Sequence, residues 1–202
     1  MHFGYAYTKE EIEQVKRVGR VVQCDRADVE REIVDADVIV PLMTPITREM
    51  LLKCTKAKLL IQFGAGIEGI DLQAAADLGI YVSNIPSKDT GNAESCAEMC
   101  LFLALALLRK IKQMEQSILS RELGVPIGNM LKNSQVCVIG FGNIAKALIP
   151  RLKAFEVYIS VLRRSTLWSE EDAATRKMLV DVGQVVSDQD MRRIVGKADI
   201  IF

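Results

Sequence analysis

The chain is 202 residues long and 50% apolar, enough for a substantial core in one large or two small domains. Its 26 basic residues balance its 26 acidic ones and no basic block stands out, so the attraction that dominates nucleic-acid affinity has no source and nucleic acid is excluded as the expected partner. The longest apolar run, residues 99–108, is closed by Arg109 and Lys110 and falls well short of the roughly twenty residues that span a bilayer, so no membrane partner is expected.

The N-terminal stretch MHFGYAYTKEE lacks the charged-then-apolar order of a secretory signal, which makes a cytoplasmic location the expectation. The cysteines, Cys24, Cys54, Cys96, Cys100 and Cys137, form no C-x-x-C pair, and their odd count argues against a disulfide framework. Cys96 and Cys100 share one helical face, which admits a redox pair or half a metal site. Packed core residues are the favoured reading, since no histidine lies nearby in sequence. His2, the sole histidine, sits at the terminus and is assigned no role.

In chain order, YTKEEIEQVKRVG and ADVEREIVDA read as surface helices around a weak strand, VVQCD. No stronger strand precedes Thr8, so the N-terminal end is expected to be incomplete. DADVIVPLM ends in an apolar strand, TPITREMLLKCT is a helix with a Thr-Pro entry, LLIQFG is a buried strand, and DLQAAADLG is a helix closed by Gly79. IYVSN returns as a strand, so the first hundred residues read as repeated βα units on a parallel sheet. One long helix is expected over residues 91–121, followed by a loop punctuated by Gly124, Pro126 and Gly128. The domain boundary is placed within this helix and loop, at 112/113. Beyond it lie a strand at 136–140, a helix at 143–155, a strand at 157–162, helices near 169–178 and 189–195, and a last strand, ADIIF.

The segment Gly140-Phe141-Gly142-Asn143-Ile144-Ala145 fits G-x-G-x-x-[GA] with a strand before it and a helix after. Gly140 would allow the tight turn, Gly142 the close approach of a pyrophosphate, and Ala145 the packing of helix on sheet. Phosphates would then rest on free N–H groups at the positive end of the helix. The competing reading is a strand-to-helix turn that needs glycine for packing alone; the matched flanks favour dinucleotide binding. The acidic residue that usually meets the adenosine ribose is replaced after the next strand by Arg163 and Arg164. Arginine there pairs with a 2′-phosphate, so NADP is preferred over NAD, against the reading of two solvated arginines. Pro150 removes a hydrogen bond to Lys146 and is expected to kink the helix or end its regular part.

Three ordered blocks, LLIQFGAGIEGIDLQAAADLGIYVSNIP, GNAESCAEMCLFLALALLRK and LKNSQVCVIGFGNIAKALIPRLKAF, make the chain resemble the D-isomer-specific 2-hydroxyacid dehydrogenases, the family of phosphoglycerate dehydrogenase and hydroxypyruvate/glyoxylate reductase. The resemblance implies an α/β fold with parallel sheets: a flavodoxin-like substrate lobe at 1–112, then the first half of a Rossmann NAD(P)-binding domain at 113–202. It also implies hydride transfer between a nicotinamide and a small 2-oxo or 2-hydroxy acid, and a homodimer in the complete protein. Gly64-Ala65-Gly66-Ile67 matches the loop whose N–H groups meet the substrate carboxylate, a role carried onto Ala65 and Gly66. Gln62 stands where the family often has arginine, so a charge contact with substrate is lost or supplied elsewhere. Asn92 and Ser95 could face the nicotinamide end, with helix capping as the alternative for Asn92. Glu98 falls in the family's alanine-glutamate pair, and Met99 stands where a histidine often follows.

The family's catalytic arginine, carboxylate and histidine follow the strand that matches residues 198–202, so no catalytic residue is named in this chain, which is expected to be a C-terminally incomplete piece. Reduction of a 2-oxo acid needs a cation to polarise the substrate and a general acid, most often histidine. A non-catalytic nucleotide-binding or interaction module and an inactive truncated product therefore stand as alternatives.

Overall fold

The computed structural model describes residues 9–165 and 167–202; His2 lies outside them. The described chain forms two compact units that divide between Pro86 and Ser87. The division falls before the long apolar helix, not within or after it, because that helix packs on the second unit's own helix, as set out below.

In the first unit, α1 (Lys9–Lys16) is followed by a 3-10 turn (Arg26–Asp28) that runs into α2 (Val29–Glu32). Residues 21–25, expected as a weak strand, pair with no strand among the described residues. Val22 is exposed there, so pairing would bring it little burial to offset its ordering. The strand β1 (Val38–Ile39) is short, ending ahead of Pro41. Thr47 caps α3 (Arg48–Lys53), its hydroxyl accepting from Met50 N–H at 3.4 Å, so the helix begins after the Thr-Pro pair and not at it. Ile46 instead bridges to Ile70 in parallel. Then come β2 (Leu59–Gln62), α4 (Leu72–Asp77) and β3 (Tyr81–Asn84). Asp71 caps α4 by accepting from Ala74 N–H at 2.8 Å, and Gly79, at φ +69°, turns the chain off its end. The strands form a parallel sheet in the order β1-β2-β3. Ile46, Leu51, Leu60, Ala74 and Ala75 are fully buried in its core.

The second unit opens with α5 (Asn92–Leu108) and α6 (Ile111–Ser120), where the sequence suggested one continuous helix. Lys110 breaks it with a left-handed backbone, φ +51°. The break is held by the returning chain: Asn129 N–H donates to the Leu108 carbonyl at 2.9 Å, and a Cβ at Gly128 would stand only 2.9 Å from that same oxygen. A carbonyl claimed from outside no longer belongs to the helical ladder. The remaining elements are β4 (Gln135–Ile139), α7 (Asn143–Lys153), β5 (Tyr158–Arg163), a 3-10 turn (Glu170–Asp172) leading into α8 (Ala173–Arg176), β6 (Leu179–Gln184), α9 (Asp188–Val195) and β7 (Ile200–Ile201).

These strands make a four-stranded parallel sheet in the order β6-β5-β4-β7. Strand alternation sorts its two faces. Val136, Val138, Ile159 and Val161 join Leu148, Ile149 and Leu152 of α7 and Ala97 of α5 in one apolar cluster, and α5 lies against α7. Cys137 and Leu162 point the other way, to Ile194 of α9. The unit is therefore a sheet covered on both faces, the arrangement parallel strands require. The strand β6 was not read from the sequence, because Asp181 and Gly183 interrupt its apolar run. Pro150 lies inside α7, which continues to Lys153 and does not end at the proline.

Candidate functional site

The two residues that open α7 are shaped for different tasks. Gly140 has φ +100°, a conformation that side chains disfavour, and its N–H donates to Leu162 O at 2.7 Å, which anchors the turn to the next strand. Gly142 is extended and serves as the N-cap of α7, with no side-chain cap hydrogen bond. A Cβ built on either glycine meets nothing within 4 Å, so the space over the turn is open. Ala145 is 7% exposed and seats the helix on the sheet, while Ile144 faces outward. Asn143 donates from Nδ2 to Ser87 Oγ at 3.2 Å. The turn thus presents an open first helical turn whose amides no side chain claims, a geometry suited to an anion.

At the end of β5 the two arginines part company. Arg164 is exposed, whereas Arg163 is only 9% exposed. The Arg163 guanidinium lies 4.1 Å from the Trp168 ring centroid and 5.1 Å from that of Phe141, and the two rings meet edge-on at 5.0 Å. Its Nη2 donates to Leu167 O at 2.5 Å, but Nε and Nη1 are buried without a partner among the described residues. Around this group Arg176 lies 5.1 Å from the Trp168 ring and Lys146 lies 5.6 Å from the Phe141 ring. Lys146 also pairs with the buried Asp172 at 2.5 Å, and this ammonium holds the Asp172 carboxyl below the usual carboxylate range. Sequence reasoning missed Phe141, Lys146, Trp168, Asp172 and Arg176. The only signal was a tryptophan and a carboxylate in a polar stretch that joins two strands.

In the first unit, the turn at 64–67 follows β2. Gly64 has φ +154°, its carbonyl accepts from Ile85 N–H at 3.1 Å, and Asn84 Nδ2 donates to Ala65 O at 2.6 Å. Ala65 and Gly66 are exposed. The Glu68 carboxylate leans on Gly66 so closely that a Cβ there would collide with it. Gln62 is buried and donates to Leu42 O at 2.5 Å, so its side chain is spent on holding the fold.

Other residues singled out in the sequence take structural contacts. Gly91, at φ +76°, is the N-cap of α5, so Asn92 is the first helical residue and not the cap. Asn92 Oδ1 accepts from Cys96 Sγ at 3.8 Å, and Glu98 pairs with Arg151 at 3.5 Å. The five cysteines are free. Burial pushes the Cys54 and Cys137 thiols up, away from thiolate chemistry. Among the described residues no group of histidine, cysteine and carboxylate side chains is placed to hold a metal ion, and no helix is long and apolar enough to cross a membrane.

A parallel sheet whose central strand runs through a glycine turn into a helix defines the dinucleotide-binding class of α/β proteins. Within that class the chain belongs to the D-isomer specific 2-hydroxyacid dehydrogenase family, whose catalytic-domain model matches residues 5–199. It is 28% identical over 184 residues to D-3-phosphoglycerate dehydrogenase of Bacillus subtilis, covering 90% of this chain and 33% of that protein. It is 30% identical over 141 residues to glyoxylate reductase of Thermococcus litoralis, covering 65% of this chain and 42% of that one. The chain therefore spans less than half the length of these curated relatives. In fold it is similar to D-lactate dehydrogenase of Aquifex aeolicus, solved with NAD and lactic acid, at a TM-score of 0.73 and 21% identity over 97% of this chain and 58% of that one. An acyclic imino acid reductase solved with NADPH and D-Arg gives a TM-score of 0.75 and 22% identity over 96% and 60% of the two chains.

Proposed function

We propose that the chain carries the dinucleotide turn and the substrate loop of a nicotinamide-dependent oxidoreductase acting on a small 2-oxo or 2-hydroxy acid. The observation that carries this reading is the open turn at Gly140 and Gly142 before the uncapped first turn of α7. A pyrophosphate fits there, since any side chain at either glycine would fill the space it needs. Gly140 shapes the turn, the amides near Gly142, Asn143 and Ile144 receive the phosphates, and Ala145 keeps the helix close to the sheet. Ala65 and Gly66 meet the substrate carboxylate through backbone N–H groups, once the Glu68 carboxylate has moved aside. The nicotinamide would supply the hydride. No residue of this chain is assigned the acid–base step.

Arg163 and Arg164 favour NADP over NAD. The support is the cationic group formed by Lys146, Arg163 and Arg176, in which the one buried carboxylate among the described residues, Asp172, is already paired with Lys146. Exposed apolar side chains along α5 and α6, among them Phe102, Leu107, Met114 and Leu119, support a homodimer, which sedimentation equilibrium would detect. The free cysteines support a reducing compartment such as the cytoplasm.

Calorimetric titration with NADP+ and NAD+ tests the reading. NADP+ is expected to bind more tightly, with the preference reduced in Arg164→Ala. Failure of both nucleotides to bind, with Trp168 in place and with it replaced by alanine, would overturn the assignment. Turnover of glyoxylate or hydroxypyruvate with NADPH then separates an enzyme from a nucleotide-binding module that does no chemistry.

A further inference from the structure

Trp168 is the only tryptophan of the chain, yet it belongs to none of the three apolar clusters. Its indole lies on the Arg163 guanidinium at 4.1 Å, and Trp168 itself belongs to no helix or strand. Beneath it, among the described residues, the arginine makes one hydrogen bond, to Leu167 O, and buries Nε and Nη1 without a partner. A buried cationic donor left unpaired is unfavourable, and the buried carboxylate among the described residues of this group, Asp172, is held by Lys146. The stack with Trp168 and Phe141 compensates only in part, since a ring face accepts charge but no directed hydrogen bond. Among the described residues the arrangement is closed over an arginine with two donors unmatched.

We propose that Trp168 is a specificity-determining residue for the nucleotide: its indole occupies the Arg163 face, and a ligand that brings a phosphate monoester to this arginine displaces it, whereas one that brings only a hydroxyl does not. The inference rests on the dinucleotide reading of the Gly140 turn. An indole and a purine are both flat bicyclic rings that stack on guanidinium, so exchanging one for the other gains little by itself. The phosphate adds charge-assisted hydrogen bonds to the donors now unpartnered, and these drive the exchange. An unphosphorylated ribose offers no such bonds, so NAD+ leaves the indole in place.

The experiment reads Trp168 emission and acrylamide quenching during titration of the full chain with NADP+, NAD+ and adenosine 2′-monophosphate, with calorimetry in parallel. NADP+ and adenosine 2′-monophosphate are expected to shift the emission to longer wavelength and raise quenching, while NAD+ leaves both unchanged. Trp168→Ala removes the competing stack and should tighten NADP+ by about fivefold with little change for NAD+. Trp168→Phe, which keeps a ring, should stay close to the parent, and circular dichroism of both variants checks folding. Binding of NADP+ by calorimetry with no change in emission, or equal affinities in parent and Trp168→Ala, would overturn the inference and leave the cofactor reading standing. Binding to Trp168→Ala alone would support it strongly. Absence of binding in both proteins would remove the cofactor reading and this inference together.

Discussion

At Gly140 the backbone holds φ +100° with nothing near its missing side chain, so an alanine there meets conformational strain and no collision. Gly140→Ala is expected to lower unfolding stability by about 1–3 kcal/mol in urea titrations. Gly142 has an ordinary backbone and caps α7 without a side chain. Gly142→Ser is therefore expected to act with opposite signs on two measurements. Its hydroxyl would cap the helix and raise stability by a few tenths of a kcal/mol. The same hydroxyl would take the amides and space that the proposed phosphate site needs, weakening NADP+ by about tenfold or more in calorimetry. Equal NADP+ affinity in this variant would mean that the turn is only a packing device. Asp172 sets a pH dependence. Its folded-state pKa is depressed, first of all by Lys146, so its contribution is fully present above the ordinary carboxylate range and is lost as pH falls through the depressed value. In Asp172→Asn the acid limb of Trp168 emission should flatten, and an unchanged limb would sink the assignment.

Within α7, Pro150 denies the Lys146 carbonyl its intrahelical donor, yet the helix continues to Lys153. Tertiary burial of Leu148, Ile149 and Leu152 outweighs the local defect. Arg151 adds a side-chain bond to the neighbouring Ala147 carbonyl at 2.8 Å. Pro150→Ala restores the missing donor and is expected to stabilise the second unit by about 1 kcal/mol, read as a higher urea midpoint; a lower midpoint would mean that the ring itself packs essentially. The same element shows how far the sequence could be read. The glycine spacing and flanking apolar runs located β4, α7 and the turn between them, since each signal is local. The weight of burial against a proline is a tertiary quantity and was out of reach. So was the break at Lys110, which depends on Asn129 reaching back to Leu108, and so was β6, whose partner β5 supplies what its own Asp181 and Gly183 take away. At the turn, the left-handed backbone of Gly140 and the packing of Ala145 were legible from spacing. The closure of Trp168 over Arg163 was not, because nothing in a linear pattern says which aromatic ring comes to rest on which cation.

Across the molecule, the two units have separate apolar cores, one around Leu60 and the others around Leu148 and Cys137. Leu60 is fully buried, and Leu60→Ala should destabilise the first unit by about 2–5 kcal/mol. Trp168 belongs to the second unit, so far-UV circular dichroism should show an early transition that its emission does not report. Coincident transitions would mean that the cores unfold as one. In the second unit, β4 is joined to β5 through an adjacent helix but to β7 from far along the chain. Asp199 secures that distant pairing: its Oδ2 accepts from Gln135 N–H at 2.7 Å, across 64 positions, and its own N–H donates to Gln135 O at 2.8 Å. Bringing such remote residues together must overcome the entropy of a long loop, so this edge should form after the β4-α7-β5 nucleus. Replacing Asp199 by alanine would then speed unfolding and leave the refolding rate nearly unchanged in stopped-flow experiments, placing the last strand on the late side of the folding barrier.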